Sequence, residues 1–135
     1  MRTFLSGLVL LCTCAAHPAA ADDAIDCTNA STTVEMNFCS DKDFKAADAK
    51  LNAVYQKVLA QIATSGLEKP YDSQSWEAAM REAQRAWVAF RDADCKGVVP
   101  MEWSGGTGTS SAVSGCMTQK TEERIKELSE RYDPK

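Results

Sequence analysis

The run QRAWVAFRDADC, Gln84 to Cys95, gathers two large aromatics, two arginines, two aspartates, a glutamine and a cysteine. Acid–base chemistry would need two carboxyl groups held in different protonation states. Asp92 and Asp94 lie in the run, and Glu82 and Glu102 flank it. No motif singles out two of these four, and acidic side chains mostly mark solvated faces. On a helix, Gln84, Trp87, Arg91 and Cys95 fall near one side, overlapped by Ala83, Phe90 and Asp94. The run therefore reads as architecture. Trp87 and Phe90 are expected to fill a core, with the stem of Arg91 beside them. The Arg91 guanidinium is expected to bond a carboxylate or backbone carbonyls.

Other chemistry is excluded by residue type. Met1-Arg2, the apolar run from Phe4 to Ala16 and the small residues Ala19 to Ala21 have the layout of a secretory signal peptide, removed before Asp22. The apolar run is too short to span a bilayer, and no other stretch is apolar enough to do so. Leu11 and Thr13 stand before Cys12 and Cys14 where a lipidation site prefers small residues, so no lipid anchor is expected. The single histidine, His17, lies in this leader. Residues 22–135 thus form one domain with no imidazole for a Ser-His-Asp or Cys-His site and none to hold a metal. No cofactor is expected. The leader carries Arg2 as its only charge, so its removal takes the formal charge from −4 to −5. An acidic chain argues against nucleic acid and anionic membranes, and favours a basic partner.

Four cysteines remain, Cys27, Cys39, Cys95 and Cys116. An even count in an exported chain reads as two disulfides. Three pairings exist. The local one, Cys27–Cys39 with Cys95–Cys116, is favoured, each bond contributing about 3 kcal/mol by chain entropy. Zinc would need C-x-x-C or His-rich spacing, which is absent.

Helical periodicity supplies the frame. Thr32 followed by Glu35 is a capping box. Phe44, Ala47, Leu51, Val54, Val58 and Ile62 then form one stripe, with an irregular turn expected near Ser40-Asp41 and an end at Gly66 to Pro70. Asp72 or Ser73 caps a second helix, whose stripe is Trp76, Met80, Ala83, Trp87 and Phe90, closed by Gly97 and Pro100. A third helix carries Val113, Met117, Thr121, Ile125, Leu128 and Tyr132. Between them, Val98 to Ser114 reads as a Gly-rich loop. The predicted fold is all-α: three antiparallel helices with two disulfides and one Gly-rich loop. That topology brings Cys39, Cys95, Cys116 and the loop to one end.

Several ordered motifs carry a resemblance. They are Met36 to Cys39, Ala47 to Tyr55, Trp87 to Cys95, Gly105-Gly106, Gly115-Cys116 and Thr121 to Arg124. Together they resemble the LprI-type lysozyme inhibitor family from about Cys27 to Leu128. The resemblance implies an exported, helical, disulfide-bonded bacterial protein, periplasmic or secreted. It makes Tyr55, Trp87, Phe90 and Arg91 structural motif residues, and implies inhibition of lysozyme rather than catalysis. A basic c-type lysozyme would be drawn to an acidic protein. The loop is the candidate contact, with Trp103 as anchor and Glu102, Ser104, Gly105, Gly106 and Thr107 around it. An acidic helical face with Asp41, Asp43 and Asp48 is the other candidate surface. A periplasmic structural or interaction module with a different partner is the alternative.

Overall fold

Thr32 starts the first helix, α1 (Thr33–Ala63), through the expected reciprocal cap. Its hydroxyl accepts from the Glu35 amide at 3.2 Å, and the Glu35 carboxylate accepts from the Thr32 amide at 2.9 Å. The computed structural model of the chain describes residues 25–134; the expected leader, with Cys12, Cys14 and His17, lies outside them. α1 runs unbroken through Ser40 and Asp41, where an irregular turn was expected. The Ser40 hydroxyl satisfies itself locally by donating to the Met36 carbonyl at 2.7 Å, so the serine leaves the helix ladder intact.

Asp72 caps α2 (Ser73–Ala93) by accepting from the Ser75 amide at 2.9 Å. The chain then stays helical where Gly97 and Pro100 were expected to stop it. A π turn, Asp94–Val98, leads into the short helix α3 (Val99–Glu102). Pro100 sits in the first turn of α3, a position that its fixed φ suits. The predicted loop from Val98 to Ser114 is therefore corrected to residues 103–108, because α4 (Thr109–Tyr132) also begins early. Among the described residues there is no strand.

The three long helices run up, down, up. Ser40 and Ser111 share a 2.6 Å hydroxyl contact at the starts of α1 and α4, so these two helices are parallel. Trp76, near the start of α2, meets Tyr132 at the end of α4, so α2 is antiparallel to both. α1 and α4 form the most extensive pairing, and α2 touches α4 more sparingly.

The core divides along the bundle. At the end holding the α1–α2 turn, Leu51, Val58, Leu59, Ile62, Met80, Ile125 and Leu128 form one apolar cluster, flanked by Tyr55, Trp76 and Trp87. Toward the other end Met117 is still buried, but the interior also takes in Arg91, Thr121 and the disulfide cysteines Cys39 and Cys95. Disulfides join Cys27 to Cys39 and Cys95 to Cys116, the local pairing. Phe90 corrects a sequence expectation: it is 58 % exposed and does not fill the core. The inner stripe of α2 instead passes through Met80, Gln84, Trp87 and Arg91, which recur at helical spacing.

Candidate functional site

Arg91 is the centre of the polar half. It is only 5 % exposed, between the rings of Phe44 and Trp87, each 5.2 Å from its guanidinium carbon. Its Nη1 donates to Asp48 of α1 at 3.0 Å and to the Thr121 hydroxyl of α4 at 3.2 Å. Its Nε donates to Asp92 at 3.0 Å. One side chain thus ties all three long helices together, and its planar fork supplies a geometry that a lysine could not match. Arg124 extends the arrangement from α4, donating to Gln84 at 3.1 Å and to Glu127 at 2.7 Å, with its guanidinium carbon 5.9 Å from the Trp87 ring centroid.

These pairings occupy the carboxylates that acid–base chemistry would have used. Asp92 accepts from Arg91 and from Lys96, and Asp94 pairs with Lys120 at 3.0 Å. Burial disfavours charge on Asp92, but hydrogen bonds from Lys96 and Arg91 and their positive charge outweigh it. Its carboxyl is held below the ordinary value. A general acid needs the opposite shift. Glu82 and Glu102 are exposed on α2 and α3. Asp94, Cys95 and Cys116 lie close together, but both sulfurs belong to a disulfide and neither is a thiolate ligand.

The disulfide end presents a different kind of surface. Val98, Met101 and Trp103 are all exposed there, Met101 by 78 % and Trp103 by 51 %. The turn that carries Trp103 is closely hydrogen-bonded within itself. The Trp103 amide donates to the Val99 carbonyl, Ser104 to Met101 and Gly105 to Pro100, each at 3.1 Å. The Trp103 carbonyl accepts from Gly106 at 2.9 Å. Ser104 and Gly105 both adopt the left-handed region, with φ of 50° and 65°. Cys95–Cys116 bridges the start of the π turn to α4, so the whole segment is closed by a covalent bond. Beneath it lies a polar cavity of about 330 Å³ lined by Asp94, Val98, Glu102, Gln119, Lys120 and Glu123.

Of the residues picked out for partner contact, Glu102, Trp103, Ser104, Gly105, Gly106 and Thr107 are all exposed on this one turn and the helix before it. The alternative acidic face is largely committed elsewhere: Asp41 pairs with Lys45 at 2.6 Å, and Asp48 serves Arg91. The candidate loop from Val98 to Ser114 contained Val98 and Met101, but neither was named as an apolar anchor. Their signal was present in the apolar run Val98-Val99-Pro100-Met101, too short to be a core element and not matched to any stripe.

The fold and this surface define a class: a disulfide-stapled helical bundle with a buried arginine node and an exposed aromatic turn. The chain belongs to the family described as Lysozyme inhibitor LprI, which it matches over residues 26–128. That is a family named for inhibition, not for catalysis, and its name implies a protein partner. An uncharacterised protein of Rhizobium meliloti (strain 1021) is 35 % identical over 133 residues, 96 % of this chain and 95 % of that one. Lipoprotein LprI of Mycobacterium tuberculosis and of Mycobacterium bovis is 31 % identical over 91 residues. That match covers 63 % of this chain but only 40 % of the lipoprotein. No solved structure is significantly similar to the chain. Among the described residues no helix is long and apolar enough to cross a membrane.

Proposed function

We propose that the protein is an exported binding protein, freed of residues 1–21 and periplasmic or secreted, that inhibits a basic c-type lysozyme by direct contact. The observation that carries this reading is the family match over residues 26–128. The exposed turn supports it as the contact surface we propose. Trp103 and Met101 offer apolar anchor area, and Glu102 adds negative charge beside them. The formal charge, −4 for the whole chain and −5 once residues 1–21 with Arg2 are removed, steers a basic partner toward it and makes association fall as salt rises. The two disulfides suit an oxidising compartment outside the cytoplasm.

The test is a cell-wall lysis assay with c-type lysozyme, using protein with both disulfides formed, at low and physiological salt. The expected result is saturable protection that weakens with salt. Absence of protection at micromolar excess would remove lysozyme as the target. A second reading, an envelope interaction module with another partner, is favoured by a separate feature. An apolar groove of about 470 Å³ at the opposite end is lined by Leu67, Pro70, Tyr71, Ser75, Trp76 and Ala79. Binding that survives Trp103→Ala but not Tyr71→Ala would favour that second surface.

A further inference from the structure

We infer that Gly108 is a positioning residue whose missing side chain seats the Trp103 indole in a fixed pose for partner contact. The inference rests on the reading of the Trp103 turn as the contact surface. A Cβ built on Gly108 would lie 2.6 Å from Cζ3 and 3.1 Å from Cε3 of Trp103, so the indole occupies the space that any other residue would need. The backbone does not explain the glycine. At φ −80° and ψ −7° Gly108 lies in the right-handed helical region, which every L residue adopts readily. The position is also the N-cap of α4, where Ser, Thr, Asp or Asn usually satisfies a helix amide, yet α4 has no side-chain cap. Glycine is itself an accepted N-cap residue; what singles this one out is the tryptophan ring that fills the place of its side chain.

The ring is held from both sides of the turn. Its backbone is fixed by hydrogen bonds to Val99 and from Gly106, and its indole rests on Gly108 at the start of α4. It is nevertheless half exposed. An anchor already in one pose loses little side-chain freedom on binding, which strengthens association without adding a contact. Alanine at position 108 acts chiefly on that pose. Its backbone angles are open to alanine, which is a weaker N-cap than glycine, so a thermal melt reads that small cost apart from binding. The atoms the added Cβ meets belong to a part-exposed side chain that can swing into solvent without unfolding the bundle.

The experiment uses the full oxidised chain and a basic c-type lysozyme as probe, with dissociation constants measured for four forms beside the wild type. Gly108→Ala and Trp103→Ala should each weaken binding by about tenfold, the loss expected when an aromatic anchor is mispositioned or removed. The double variant should bind no more weakly than Trp103→Ala alone, because glycine acts only through the ring. Gly115→Ala, where an added Cβ meets nothing within 4 Å, should bind like the wild type. Unchanged binding by Gly108→Ala, or additive losses in the double variant, would overturn the inference. A second readout stands apart from lysozyme. The chain has 3 tryptophans, so 5-fluorotryptophan labelling gives a small set of ¹⁹F signals, with the Trp103 signal assigned by its loss in Trp103→Phe. Gly108→Ala should shift and broaden that signal and leave those of Trp76 and Trp87 in place. If no form binds lysozyme, the functional reading falls and this signal alone decides the role of Gly108; an unmoved resonance refutes it.

Discussion

The two ends of the bundle are stabilised by different means. At the α1–α2 turn, seven buried apolar side chains meet across three helices, as in any small helical core. At the disulfide end, the interior holds Arg91, Thr121 and Cys95, and the surface carries Val98, Met101 and Trp103 in the open. The difference follows from composition. A segment rich in Gly, Ser and Thr has little apolar area to bury, so covalent bonds and a buried guanidinium hold it instead. An end fixed in that way can leave an aromatic side chain in solvent without losing its shape. The apolar end also leaves Leu67 and Tyr71 in the open on its turn, so the two ends differ in what fills their interiors rather than in exposure.

The largest expected effect breaks the apolar end. Leu128→Ala, at a site that is 1 % exposed, should cost about 3 kcal/mol from lost transfer energy and the cavity left behind. Urea unfolding followed by circular dichroism gives this directly. Affinity for lysozyme, if carried by the Trp103 turn as proposed, should be kept at temperatures where the variant is still folded, since no contact there is touched.

The next breaks the other end. Replacing Cys95 and Cys116 together by alanine reopens a 21-residue separation and should cost about 3 kcal/mol by chain entropy. Hydrogen exchange should show the loss of protection concentrated between the π turn and the start of α4. Uniform loss along all helices would show that the two ends are not separable. Partner affinity should fall as well, which distinguishes this variant from Leu128→Ala.

Arg91→Ala probes the seam between the two ends. Asp48 and Asp92 are partly exposed and regain water, so the cost comes from lost packing between Phe44 and Trp87 and from the stranded Thr121 hydroxyl. About 2 kcal/mol is expected in urea unfolding. The same node sets an acid response. The Asp92 carboxyl sits below its ordinary value of 3.8 in the folded protein, so its stabilisation is complete above that pH and is lost as pH falls through the depressed value. Wild-type stability should therefore decline below about pH 4, and Arg91→Ala should flatten the decline.

How far these features could be read beforehand depends on what each residue type signals. The stripes of α1 and α4 were legible because Ala47, Leu51, Val58, Ile62, Met117, Ile125 and Leu128 are apolar and buried, so polarity and position agree. On α2 they disagree. The inner line passes through Gln84 and Arg91, while Phe90 faces out beneath Lys120, whose ammonium lies 4.9 Å from the ring centre. A search for apolar periodicity turns toward the phenylalanine and misses the arginine. The disulfide pairing followed from short loop closure. The extent of the turn did not, because Pro100 reads as a stop unless it falls in a first helical turn, and a π turn leaves no mark in composition. The seat of Trp103 on Gly108 joins residues across a turn, which no periodic pattern records.

The smallest expected effect serves as a check that the ends respond separately. Thr32→Ala removes the cap from the Glu35 amide and should cost about 1 kcal/mol. Thermal melts should show it as a shift of a few degrees, with partner affinity unchanged.

The most direct measurement is a titration of ¹⁵N-labelled, fully oxidised protein with unlabelled c-type lysozyme, followed amide by amide. Saturable changes should gather between Asp94 and Ala112 and include Trp103, and they should weaken at higher salt. Changes centred on Leu67 to Trp76, or a spectrum that does not respond at micromolar excess of lysozyme, would contradict the assignment of recognition to the disulfide end.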